Sequence, residues 1–78
     1  MKTKQEIIDE MEVDFRSETS EIIMTFTDRV HLSASTKTGR VECFIDKKLR
    51  CTWDDVSLRW LDNIINTAAS IASEMREF

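Results

Sequence analysis

Between Ile22 and Trp53 the apolar residues recur on alternate positions: Ile22, Met24 and Phe26, then Val30, Leu32 and Ala34, then Val41, Cys43 and Ile45, then Leu49, Cys51 and Trp53. Period-two alternation with Thr and β-branched residues is the pattern of half-buried strands. The interruptions, Asp28-Arg29, Lys37-Thr38-Gly39 and Asp46-Lys47-Lys48, are short and polar, and the only Gly of the chain stands in one of them. Four strands in an antiparallel meander are predicted, over 21–27, 30–36, 40–46 and 48–53. One long bent strand would also fit around Asp28-Arg29.

Helical spacing flanks this region. Thr3 and Glu6 form a capping-box pair, and Ile7, Ile8, Met11 and Phe15 follow on one stripe, predicting a first helix over residues 4–17. Asp54 and Asp55 then open a stretch free of Gly and Pro. Acids there suit the positive end of a helix dipole. Leu61, Ile64, Ala68, Ile71, Met75 and Phe78 mark one stripe, widened by Leu58, Ile65, Ala69 and Ala72 and flanked by Trp60. This predicts a second helix over 55–77, about 35 Å long at 1.5 Å per residue. The expected fold is a single α+β domain over 1–78, in the order α-β-β-β-β-α, with both helices on one face of the sheet.

A chain of 78 residues builds a small core. Such a core rarely supplies more than ~3–5 kcal/mol unless disulfides, a metal or a second subunit assist. Cys43 and Cys51 are the only thiols and His31 the only histidine, too few for a conventional four-ligand zinc site. The second helix carries more apolar girth than one small sheet covers, and soluble monomers avoid large exposed apolar patches. A homodimer is therefore expected, with Trp60, Leu61, Ile64, Ala68, Ile71 and Met75 at its seam. Trp53 is expected to close the core at the strand-to-helix junction.

Formal charge is −4, but it is segregated. Residues 1–21 hold seven acids against three bases, residues 22–53 six bases against three acids, and residues 54–78 five acids against two bases. If the alternating apolar residues face the helices, the opposite sheet face is open and net basic. There Arg40, Phe44, Lys48 and Arg50 would stack and pair with single-stranded nucleic acid. The other outcomes for such a face are simple solvation and a protein-binding or dimer face.

The first helix offers a different surface. Glu6, Asp9, Glu10, Glu12 and Asp14 would lie together on it, and closely spaced carboxylates can imitate the phosphates of a duplex and occupy a basic groove on another protein. The order helix, antiparallel meander, helix is similar to that of small phage-encoded anti-defence proteins. That likeness is one of architecture, size and acidity. It implies an inhibitor of nucleic-acid-handling machinery and transfers no residue roles.

Catalysis finds little footing. His31 is expected on the open face, away from both cysteines, and no Gly-rich phosphate loop or nucleophile elbow is present. Cys43 and Cys51 are expected to be cross-strand neighbours and free thiols. No cofactor, metal or membrane span is anticipated, and the opening residues lack a signal-like apolar stretch, so the expected setting is cytoplasmic. Three readings follow. The first is a non-enzymatic acidic module that inhibits or regulates a larger nucleic-acid-handling protein. The second is a single-strand-binding module using the sheet face, and the third an accessory subunit binding through Leu61, Ile64 and Ile71.

Overall fold

The computed structural model describes residues 3–75. A short helix α1 (Lys4–Glu10) leads into five strands, β1 (Glu12–Arg16), β2 (Glu21–Thr25), β3 (Val30–Ser35), β4 (Val41–Ile45) and β5 (Lys48–Trp53), and the chain ends in helix α2 (Leu58–Glu74). The strands form one antiparallel sheet in sequence order, β1 to β5. The α+β class and the meander are as expected, but the sheet has five strands rather than four.

The extra strand comes out of the predicted first helix. The capping box forms, with the Glu6 amide donating to Thr3 Oγ1 at 3.2 Å and the Thr3 amide donating to Glu6 Oε1 at 2.9 Å. The helix nevertheless stops at Glu10, because Met11 turns to φ −64°, ψ 143°. Beyond it the order Glu12-Val13-Asp14-Phe15-Arg16 alternates polar and apolar residues, and these pair with β2 from Glu12 opposite Thr25 to Arg16 opposite Glu21. Met11 and Phe15 fit a helical and an alternating period equally well. Val13 decides between them, since a helix would leave it among acids whereas a strand puts it on the same face as Met24.

The core lies on one face of the sheet. Met24, Phe26, Val30, Leu32, Ala34, Val41 and Cys43 meet Ile7 of α1 and Ile64, Ala68, Ala69 and Ala72 of α2. Helix α2 spans 17 residues, roughly 25 Å, and not the 35 Å read from the sequence. The three alanines let α2 approach the sheet and α1 closely. Ser57 caps it, accepting from the Trp60 amide at 3.4 Å. Phe78 and the rest of the expected last turn lie outside the described residues, and so does the side chain of Leu58.

Turn chemistry fixes the register. Asp46 and Lys47 both take positive φ (53° and 67°), the backbone of a two-residue type I′ hairpin between β4 and β5. Gly39 has φ +74°, and a Cβ there would sit 3.2 Å from the Val56 amide nitrogen. That amide donates to the Gly39 carbonyl at 2.8 Å, so the segment after β5 folds back over the β3–β4 turn.

A bulge in β5 changes which residues face the helices. Cys43 pairs with Cys51 and Phe44 with Leu49, so Arg50 is the extra residue. Paired residues share a face. Leu49 therefore joins Phe44 on the open face, while Lys48, opposite Ile45, moves to the helix side. Strict alternation, which put Leu49 inside and Lys48 outside, is corrected by that one inserted residue.

Candidate functional site

Register defines the open sheet face residue by residue. One row crosses it as Glu12, Thr25, His31, Phe44 and Leu49, and the next as Asp14, Ile23, Ser33, Glu42 and Thr52. His31 and Phe44 stack with ring centroids 4.8 Å apart and planes 9° from parallel. This face is net acidic, contrary to the basic face expected from four strands, because β1 adds Glu12, Asp14 and Arg16 to Glu21 and Glu42 while the bulge turns Lys48 to the other side. The cations assigned to nucleic acid are dispersed. Arg40 Nε lies 3.6 Å from Glu42 Oε2, Lys48 faces the helix side and Arg50 occupies the bulge. Phe44 and Arg40 stand on the open face that the single-strand reading needs, Arg40 beside Glu42, while Lys48 and Arg50 do not.

The acidic set is also divided. Glu6, Asp9 and Glu10 are exposed on α1, while Glu12 and Asp14 are exposed on β1 and belong to no common helix face. Glu6 serves the cap, and Asp9 Oδ1 accepts from Gln5 Nε2 at 2.9 Å. Glu10, Glu12 and Asp28 line one cleft of about 560 Å3, floored by Ile7, Phe26 and Ala72, at the end of the sheet where α1 and α2 converge. Among the described residues, Arg29 is the one cation of that rim. Its Nε and Nη2 donate to Asp46 Oδ1 and Oδ2 at 2.6 and 2.8 Å. The fork raises the Arg29 pKa and holds the Asp46 carboxyl below its ordinary value, the side-chain hydrogen bond being the main cause in each case.

The residues assigned to a helix seam are placed mostly within the molecule. Ile64 and Ala68 are 5% and 1% exposed, and Leu61, Ile71 and Met75 pack against the core from its margin. The sheet and α1 supply much of the cover that the sequence assigned to a second copy. Trp60 stays outside, at 62% exposure, and lines a groove of about 350 Å3 with Trp53, Asp54 and Asp55.

Two functional candidates escaped the sequence reading. Val13 and Phe15 are 58% and 62% exposed, on the helix-side face of an edge strand. The signal was present in the polar-apolar alternation of residues 12–16, but Phe15 had been absorbed into a helical stripe.

Cys43 is buried and Cys51 exposed, and both are free. Burial pushes the Cys43 thiol pKa up, with a smaller contribution from Cys51. Among the described residues, no group of three or more His, Cys, Asp or Glu is placed to hold a metal ion, and no helix is long and apolar enough to cross a membrane. Comparison with protein-family models, with curated proteins and with solved structures finds no match.

Proposed function

We propose that the chain is a small non-enzymatic interaction module whose acidic surface engages a basic surface, such as a nucleic-acid groove, on a larger protein that it inhibits or regulates. The observation that carries this reading is that Glu10 of α1 and Glu12 of β1 line one cleft, with Glu6 and Asp9 exposed on α1 and Asp14 exposed on β1. Across the ladder from them stand Thr25 opposite Glu12 and Ile23 opposite Asp14, neither of them a cation. Carboxylates without a cross-strand cation hold a local negative potential that steers a basic partner. The nucleic-acid reading is less well supported, because the open face that would receive phosphates is itself lined with carboxylates.

Capture experiments with the full chain at low salt test this proposal. The expected partner is a basic, nucleic-acid-handling protein that is released by salt, competed away by duplex DNA and lost on triple reversal of Asp9, Glu12 and Asp14 to Lys. Undiminished recovery by the triple variant contradicts the proposal. Binding of labelled single-stranded RNA or DNA by the wild type, abolished by Phe44→Ala, favours the sheet-face alternative instead.

A further inference from the structure

The two edges of the sheet are built differently. Strand β5 carries Lys48 and Arg50 and a bulge, devices that discourage another strand from pairing there. Strand β1 has neither bulge nor Pro; its charged residues Glu12, Asp14 and Arg16 share the open face, and its helix-side residues are the exposed apolar pair Val13 and Phe15. Among the described residues nothing pairs with its outer edge.

Backbone parity shows which groups point outward. The Phe26 amide donates to the Val30 carbonyl and the Thr36 amide to the Ser20 carbonyl, so even-numbered residues of β2 bond to β3. Hydrogen-bonded pairs alternate along an antiparallel strand, so the odd-numbered residues Glu21, Ile23 and Thr25 bond to β1. Their partners are Arg16, Asp14 and Glu12. The N–H and C=O groups of Val13 and Phe15 therefore face the open edge, on the two residues that also expose apolar side chains.

We infer that β1 is a docking edge for a second copy of this chain, the two β1 strands pairing antiparallel about a two-fold axis through Asp14. The strand complements its own reverse. Val13 meets the partner's Phe15 on the helix side, with their outward backbone groups exchanging hydrogen bonds. Glu12 meets the partner's Arg16 on the open face, twice by symmetry. The two sheets become one ten-stranded sheet, and the exposed apolar pair is covered. One position is unfavourable, since Asp14 meets its own copy on the axis, and like charges directly opposite oppose pairing. That contact gives the inference a signature of opposite sign to its other contacts. The seam is argued without the functional reading above but shares Glu12 and Asp14 with it, so its test reads particle mass rather than partner binding, and it is distinct from the face of α2.

Analytical ultracentrifugation of the full chain over a wide concentration range tests the inference, with circular dichroism confirming that each variant is folded. The wild type is expected to move reversibly from 9.1 kDa to twice that mass. Glu12→Arg and Arg16→Glu should each weaken dimerisation about tenfold, and the double exchange should restore it, because each single reversal sets like charges opposite each other at two symmetric positions. Asp14→Asn should strengthen it. In a Cys51→Ser background, Asp14→Cys should give a disulfide-linked dimer on mild oxidation. A chain that stays monomeric at all concentrations overturns the inference, and so does a dimer indifferent to the charge exchange and to Phe15→Lys. A monomer that instead takes an extended peptide on β1 overturns the assignment to a second copy.

Discussion

Arg29 and Asp46, 17 positions apart, are locked in a two-bond fork between the β2–β3 and β4–β5 turns. The third guanidinium nitrogen, Nη1, donates to the Met75 carbonyl at 3.4 Å. The last turn of α2 has no basic residue of its own, so Arg29 supplies a cation to its negative end from another part of the fold. One side chain thus ties two hairpins to the closing helix.

The pH dependence of this tie has a defined sign. Asp46 titrates below its ordinary value when folded, so its contribution to stability is complete above the unfolded value, near 3.8, and is lost as pH falls through the folded one. Thermal unfolding of wild type and Asp46→Asn should differ at pH 6, with wild type the more stable. The gap should close as pH falls through the lowered folded value of Asp46. The pair is exposed to solvent, so high salt should narrow the gap as well. A gap that persists unchanged in acid contradicts the assignment.

The β4–β5 turn stores strain at Lys47, a side-chain-bearing residue at φ 67°. Lys47→Gly completes the Asp-Gly pair that type I′ hairpins favour. Relief of the left-handed conformation should stabilise the protein by roughly 0.5–1 kcal/mol. Urea unfolding followed by circular dichroism measures it.

Leu32 is fully buried at the centre of β3. Truncation to Ala should cost about 2–5 kcal/mol. A domain of this size has a net stability of about the same order. Leu32→Ala should therefore be largely unfolded at 37 °C, with loss of near-ultraviolet dichroism and proton-spectrum dispersion.

The paired cysteines should react at very different rates. An alkylating reagent should modify Cys51 quickly and Cys43 only under denaturant, since Cys43 is sealed under the helices and its raised pKa leaves little thiolate. Mass spectrometry of the native protein should show one fast modification, at Cys51.

The legible parts of the fold are those in which one period stands alone. Val30, Leu32 and Ala34, and Val41 and Cys43, carry a single periodicity and lie in the core as expected, while Ile64 and Ala68, expected at a dimer seam, lie in the core as well. The Thr3–Glu6 cap was legible because its geometry is local. Two features were hidden for physical reasons. Met11 and Phe15 satisfy both periods, and the choice is made by Val13, which pairs with Met24 along the edge of β2. The bulge at Arg50 has no marker in composition, yet it reverses Lys48 and Leu49 and with them the charge of a face. The acidic candidates could be picked out as residues but not as a surface, because their arrangement depends on where α1 ends.

Amide hydrogen exchange by NMR over residues 11–16, at a concentration where the particle is a monomer, tests most directly whether the acidic segment divides at Met11 into a helix and an edge strand. The amides of Glu12, Asp14 and Arg16 should be protected by their bonds to β2, and those of Val13 and Phe15 should exchange rapidly toward the open edge. Uniform protection with helical chemical shifts from Lys4 through Phe15 would contradict the five-stranded account, and uniform rapid exchange from Met11 onward would do the same.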